Sequence, residues 1–153
     1  MSAEFSRPPG PFPPLTAFMP HRPPMLLLDT LLDHGEEEVV CDKTFREADP
    51  FVEGGAVTAL VAVELFAQAA AAHFGYSGYA RGGTPASGAL LGARRIDLMV
   101  PSYAVGERLL VRARQVGVMP PAAQYECTIE GASGAVLAKG TINVAMGIAP
   151  PAL

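Results

Sequence analysis

Residues 57–73 are the part of the sequence that most constrains the fold. Thirteen of these seventeen residues are apolar, and the segment contains neither proline nor glycine, so its composition predicts a helix. Thr58 is suited to cap the start of this helix, and Gly75 is suited to end it. Because apolar side chains occur on every face, we expect the helix to be buried on all sides.

Most of the remaining sequence is typical of β-strands. Two predicted strands with a turn at 33–35 precede the helix, a loop at 48–55 leads into it, and four strands follow it as a meander. The predicted strands are 25–28, 36–46, 88–99, 107–118, 123–130 and 135–146. A single buried helix must be wrapped by a curved antiparallel sheet, so the pattern predicts an α+β chain with the hot-dog fold. Such a sheet has an open edge, which favours a dimer.

The length of the chain, 153 residues, predicts one domain. We place it at 15–147, between a flexible proline-rich arm at 1–14 and a tail at 148–153. The formal net charge of −4 argues against nucleic acid as a partner. Neither a signal peptide nor an apolar segment of membrane-spanning length is recognised, so we expect a cytoplasmic protein without a membrane span. Cys41 and Cys127 are predicted to be reduced thiols, and the lack of nucleotide-binding and metal-ligand motifs predicts no cofactor and no metal.

Glu64 is the residue around which we expect a functional site. It lies in the middle of the apolar helix, where a carboxyl loses hydration and is suited to act as a general acid near neutral pH. Gln68, one turn later, is on the same face and can orient that carboxyl. The alternative is a structural glutamate that is hydrogen-bonded in the core or reaches solvent at the helix edge. We favour the functional interpretation because a buried acid is costly unless it is used or paired.

The start of the helix is a second candidate feature. Backbone N–H groups of residues 58–60 lie at the positive end of the helix dipole and could polarise a thioester carbonyl. The Gly54–Gly55 pair before them allows close approach of a substrate, or forms only a turn.

Three histidines are candidate proton acceptors. His73 is nine positions after Glu64 and is expected at a solvated helix end, while His34 is expected to be exposed in an acidic turn. His21 lies in an HRPP segment before the first strand, where it is either structural or a base.

Five arginines form a group on the predicted strands: Arg94, Arg95, Arg108, Arg112 and Arg114. The alternation of Arg108 and Arg112 with Leu109, Val111 and Ala113 predicts the solvent-exposed face of an antiparallel sheet. The alternative is a docking rim for a phosphopantetheine arm or an acidic carrier protein.

Several short motifs, taken in their order and spacing, resemble those of the bacterial 3-hydroxyacyl-acyl-carrier-protein dehydratases. They are PHRPPMLLLD at 20–29, DPF at 49–51, VELFAQA at 63–69 and LLGARRIDLMVP at 90–101. The chain most resembles the dehydratase subgroup of aryl-polyene-type biosynthetic clusters, in which HRPPMLLLD and an LLGxRR strand recur. The resemblance covers about residues 18–146 and implies the hot-dog fold.

The resemblance also implies roles for individual residues. Glu64 corresponds to the catalytic acid of the family's helix, Gln68 to its glutamine neighbour, and Ala59 to the position whose amide binds the thioester oxygen. The residues implied to bind substrate are Gly55, Leu91 and Gly92. Those implied to dock the carrier are Arg94 and Arg95.

The chain departs from the family at the general base. The fatty-acid enzymes carry a histidine in the loop before the helix, whereas this loop is shortened here to EGGAV at 53–57 and contains none. His21 is the leading candidate for the base, with Glu53 or Asp49 as alternatives.

The implied activity is elimination of water from a 3-hydroxyacyl thioester on an acyl carrier protein, giving a trans-2-enoyl thioester. The resemblance implies no cofactor and a homodimer, or a heterodimer with a paralogue. Two other functions stay open. One is hydrolysis of an acyl thioester, in which Glu64 activates water, and the other is a non-catalytic subunit that binds acyl carrier chains.

Overall fold

The structure, a computed structural model, describes residues 11–83 and 87–148. Within these ranges the chain forms nine strands and one α-helix. In chain order they are β1 (Thr30–His34), β2 (Glu38–Thr44), β3 (Val52–Glu53), β4 (Ala56–Thr58), α1 (Ala62–Ala80), β5 (Ser87–Leu98), β6 (Ser102–Ala104), β7 (Arg108–Met119), β8 (Ala122–Glu130) and β9 (Val136–Ile148). Two 3₁₀ turns, Leu15–Ala17 and Ala59–Val61, precede β1 and α1.

Six strands form an antiparallel sheet that packs around α1, in the order β1-β2-β7-β8-β9-β5. This arrangement confirms the predicted α+β hot-dog fold. Strands β7, β8 and β9 form a meander, but β5 pairs with β9 at the far edge and not with β7. The predicted four-strand meander was wrong because the chain leaves this sheet after β5 and contributes β6 to a second sheet.

The second sheet is small and consists of β3, β4 and β6. Its β3–β4 hairpin occupies part of the segment that was predicted as a loop. Val57 of β4 is opposite Tyr103 of β6, and both side chains are buried. Because β4 continues directly into the 3₁₀ turn Ala59–Val61, this sheet fixes the place where the helix begins.

The helix α1 begins and ends later than predicted. Residues 57–61 belong to β4 and the 3₁₀ turn, and the helix continues well past His73. Gly75 does not end it. A Cβ at Gly75 would lie 2.4 Å from the carbonyl oxygen of Phe18, so glycine is needed there for close packing. The chain turns at Gly82, whose φ of +76° is a conformation that favours glycine.

The two predicted faces of β7 are confirmed. Leu109, Val111 and Ala113 are fully buried on the side of α1. On the outer face each arginine of β7 has an acidic partner: Arg108 with Asp42 at 3.0 Å, Arg112 with Glu130 at 2.8 Å and Arg114 with Glu126 at 2.6 Å. The solvent-face interpretation therefore explains these three arginines.

Residues 59–80 are long and apolar enough to cross a membrane, although the apolar segment was judged too short from the sequence. Most of this segment is buried within the fold, which is the environment expected for a core helix. The predicted arm and tail lie largely outside the described residues. At the described end of the arm, Phe12 packs edge-to-face on Tyr76 of α1, with ring centroids 5.3 Å apart.

Candidate active site

Gln68 connects α1 to the segment that precedes β1. Its side chain is fully buried, and the backbone N–H groups of Leu27 and Leu28 donate to its Oε1 at 2.9 and 3.3 Å. Its Nε2 donates to the carbonyl oxygen of Met25 and to Oε1 of Glu64, both at 2.8 Å. The amide therefore has two acceptor and two donor contacts, which is its full capacity. These contacts use backbone groups that a strand would need, so the strand predicted for this segment does not form.

Glu64 lies in the first turn of α1 and is half-buried, not in the middle of the apolar helix as predicted. The difference arises because the helix begins at Ala62. At this end of the helix the dipole favours a negative side chain. Gln68 donates to Oε1, and Oε2 has no hydrogen-bond partner among the described residues. Oε2 is therefore the oxygen of this carboxyl that is left available for a further hydrogen bond.

His21 lies directly before the turn at 22–25, which leads into the segment that Gln68 holds. The Arg22 guanidinium donates to the carbonyl oxygens of Met19 and His21 at 2.8 and 2.7 Å, which stabilises this turn. The Nδ1 atom of His21 is buried without a hydrogen-bond partner in the described part of the chain. Burial lowers the pKa of His21 below its ordinary value, and the negative charge of Glu64 opposes this shift. The imidazole is thus within electrostatic range of Glu64 and neutral near pH 7, as a general base must be.

The two alternative bases are less suited to this role. Oδ2 of Asp49 accepts hydrogen bonds from Lys43 Nζ at 3.1 Å and from the Arg46 backbone N–H at 2.8 Å. Burial acts to raise the pKa of Asp49, but these hydrogen bonds and the neighbouring positive charges lower it overall. Glu53 is exposed on β3.

The amide of Ala59 is not free to bind a substrate. It donates to the carbonyl oxygen of Pro101 at 3.0 Å, so the role implied for it was wrong. The Leu60 N–H has a long contact of 3.4 Å with Thr58 Oγ1 and is the more available amide. Residues 58–60 line an open cavity of about 430 Å³, with residues 98–101 on its other side. Neither Glu64 nor His21 lines this cavity.

The glycine pair before the helix is explained by turn geometry. Gly54 and Gly55 connect β3 to β4 with φ values of +59° and +78°, which favour glycine. The carbonyl oxygen of Gly55 also accepts the Val105 N–H at 2.9 Å. A substrate-binding role for Gly55 stays a prediction.

Four further predicted residues lie on the edge strand β5: Leu91, Gly92, Arg94 and Arg95. Leu91 and Arg94 sit at irregularities where β5 slips in register against β9. Leu91 is 60% exposed, and Arg95 pairs with Asp97 at 3.0 Å. In the described ranges no hydrogen bond or ion pair joins this group to Glu64, so its roles in substrate and carrier binding stay predictions.

His34 and His73 were wrongly predicted to be exposed. Both are buried, and their rings stack with centroids 5.1 Å apart. His73 Nε2 donates to the carbonyl oxygens of Gly35 and Glu36 at 3.1 and 3.0 Å, and its Nδ1 accepts from the Tyr125 hydroxyl at 2.7 Å. The prediction failed because α1 continues beyond His73, which places this residue inside the helix and under the sheet.

One helix wrapped by a six-stranded antiparallel sheet, with a half-buried carboxyl in the first turn of that helix, defines a hot-dog-fold protein. The chain belongs to the ApeP-like family, whose model, described as ApeP dehydratase, matches residues 13–149. This finding confirms the resemblance to aryl-polyene-type dehydratases. No curated protein sequence matches the chain.

Among solved structures, the chain is similar to the dehydratase heterocomplex ApeI:P from Xenorhabdus doucetiae. The identity is 26% and the TM-score 0.84, over 88% of this chain and 91% of that chain. It also resembles the E. coli PaaI protein from the phenylacetic acid degradation operon, with 16% identity and a TM-score of 0.61 over 80% of each chain. Zebrafish thioesterase superfamily member 2 matches with 19% identity and a TM-score of 0.62, over 86% of this chain and 90% of that one. The last two likenesses show the fold alone.

Proposed function

We propose that this chain is a cytoplasmic dehydratase that removes water from a 3-hydroxyacyl thioester on an acyl carrier protein. The observation that carries the proposal is the contact set of Gln68, which orients the Glu64 carboxyl and holds the segment after His21. Membership in the ApeP-like dehydratase family supports the class of reaction.

The proposed reaction uses His21 as base and Glu64 as acid. His21 accepts the proton from C2 of the substrate, the electrons of that C–H bond form the C2=C3 double bond, and the C3–O bond breaks. This step requires the protonated form of Glu64, in which Oε2 donates its proton to the departing hydroxyl, which leaves as water. The Leu60 N–H polarises the thioester carbonyl and stabilises the charge that develops on its oxygen. Proton exchange with solvent then returns both side chains to their starting states.

Mass spectrometry of a panel of 3-hydroxyacyl thioesters tests this proposal, with each acyl group on a carrier protein and on coenzyme A. We expect loss of one water from the carrier-bound acyl group. Release of free acid would instead indicate a thioester hydrolase. If the chain alone changes no acyl group, and turnover with a partner chain survives Glu64→Gln, the non-catalytic subunit becomes the better interpretation.

We further propose that the working unit pairs this chain with a paralogous hot-dog subunit. The edge strand β5 exposes the apolar side chains of Leu90, Leu91 and Leu98, and an open strand edge favours pairing. The similar chain from X. doucetiae occurs in a heterocomplex, which supports a paralogue over a second copy. Light scattering of the chain alone and mixed with a paralogue distinguishes the two assemblies. Turnover by the mixture that survives Glu64→Gln would place the chemistry in the partner.

A further inference from the structure

Lys43, in β2, is the centre of a buried ionic cluster. Its side chain is only 3% exposed, and Nζ lies 3.1 Å from Asp49 Oδ2 and 3.5 Å from Asp29 Oδ1. The ammonium also lies 4.9 Å from the centre of the Phe45 ring. A buried cation is costly unless it is paired, and here two carboxylates pair with it.

The two carboxylates belong to the segments that lead to the candidate site. Asp29 directly follows the residues that Gln68 holds, and its Oδ2 accepts the Thr44 N–H at 2.7 Å. Asp49 accepts the Arg46 N–H and closes the turn before β3. From there β3 and β4 lead into the start of α1. One ammonium therefore joins the segment that carries His21 to the hairpin that leads into the helix of Glu64.

We infer that Lys43 is a positioning residue that holds the His21 segment in place relative to the first turn of α1. This role rests on the proposed function, in which His21 and Glu64 act on one substrate. The Arg46 guanidinium also lies 3.6 Å from Asp29 Oδ1, but its side chain is 68% exposed and its charge is screened by water. Without the ammonium it would offset the repulsion between Asp29 and Asp49 only in part, and the two segments would move apart. The separation between His21 and Glu64 would then increase.

The test measures the electrostatic coupling between His21 and Glu64 by NMR titration of the His21 ring. Because the charge of Glu64 raises the pKa of His21, Glu64→Gln is expected to lower it. The same comparison is then made in a Lys43→Met background. We expect a smaller effect of Glu64→Gln there, reduced by about half if the separation doubles. An effect of equal size in both backgrounds would overturn the inference.

Two further variants keep this test decisive. Arg112→Met removes a 2.8 Å ion pair with Glu130 on the outer face of the sheet and should leave the coupling unchanged. If it weakens the coupling as much as Lys43→Met does, the effect is a general loosening of the fold and the inference fails. If Lys43→Met does not fold, Lys43→Gln removes the charge, keeps a polar group that can donate a hydrogen bond and is judged by the same criterion. The coupling is measured without turnover, so its result is independent of whether the chain dehydrates a thioester.

Discussion

At the scale of single residues, a neutral amide orients the carboxyl of Glu64. Gln68 Nε2 donates to Oε1 of Glu64, and the other three contacts of the Gln68 amide are to backbone groups. These backbone contacts determine that the NH₂ end of the amide faces the acid. A neutral donor sets the direction of the carboxyl without adding a charge beside it. The arrangement suits a group that must be able to give up a proton and take it back.

Glu64→Gln should abolish most turnover and leave the fold intact. We expect kcat to fall by about a hundredfold or more, since the amide cannot act as an acid. The thermal midpoint should hardly change, because the new side chain keeps its shape and an oxygen that can accept from Gln68 Nε2. Steady-state kinetics and calorimetry check both parts. Full activity would exclude the mechanism, and a stability loss of several kcal/mol would identify a structural glutamate.

His21→Ala should lower kcat by a similar factor, about 10²–10⁴, which is the range for general acid–base groups. Binding of a non-reactive acyl thioester should change little, because the substitution removes no hydrogen bond of the imidazole seen in the described residues. Glu53→Gln tests the exposed alternative base and should retain turnover. Wild-type turnover by His21→Ala, with loss in Glu53→Gln or Asp49→Asn, would reassign the base.

At the scale of elements, the packing of α1 depends on Gly75. In an ordinary helix interior, replacing glycine by alanine stabilises by about 1 kcal/mol. Here the new Cβ would lie 2.4 Å from a backbone oxygen, and overpacking of this kind costs about 1–3 kcal/mol. We therefore expect Gly75→Ala to lower the thermal midpoint. Gly117→Ala in β7, where the nearest atom is 4.0 Å away, is the matched control and should have little effect. A more stable Gly75→Ala protein would contradict the close contact with Phe18.

The stacked pair of His34 and His73 should make stability depend on pH. Burial and the neighbouring His34 lower the pKa of His73 from 6.5 to about 4, and burial also lowers the pKa of His34. Below pH 6.5 the unfolded chain therefore binds protons that the folded chain does not. The contribution of the two histidines to the free energy of unfolding is fully present above pH 6.5 and is lost as the pH falls toward 4.

For His73 alone, this loss amounts to roughly 3 kcal/mol at pH 4. Urea denaturation at a series of pH values measures it. A free energy of unfolding that stays constant between about pH 7 and about pH 5 would show that the two rings titrate normally in the folded protein.

Local patterns predicted the elements better than they predicted boundaries and partners. The apolar composition of α1 and the alternation in β7 are local signals, so the buried helix and the two faces of that strand could be predicted. The end of α1 could not, because Gly75 is needed for contact with the distant Phe18. Likewise, an apolar run at 25–28 gives no sign that a glutamine side chain binds its backbone.

The candidate site could be predicted only in part for the same reason. Glu64 and Gln68 are conspicuous because polar side chains are rare in such a helix. Nothing in the sequence distinguishes Lys43 from an ordinary strand lysine, since its partners come from two other segments. The hydrogen bond of the Ala59 amide could not be predicted either, because its acceptor is the carbonyl oxygen of the distant Pro101.

At the scale of the whole molecule, the sheet has two edges, β1 and β5. β1 follows the segment held by Gln68, whereas β5 lies at the opposite edge with apolar side chains exposed. A partner strand added at β5 would extend the sheet without disturbing the contacts of Gln68. We expect the thermal midpoint to rise when a partner chain is added in excess, because the partner binds only the folded state. If the partner chain co-elutes with this protein but leaves its thermal midpoint unchanged, that result would argue against pairing at β5.

Gln68 reaches back 40 to 43 positions along the sequence and binds main-chain atoms there. The direction of the Glu64 carboxyl is thus specified by the path of a distant segment and not by the side chains of that segment. Substitutions at Met25, which is half exposed, should be tolerated as long as that path is kept. A fragment that begins after this segment would retain the helix and Glu64. It would lose the backbone contacts that fix the Gln68 amide and, through it, the direction of the Glu64 carboxyl.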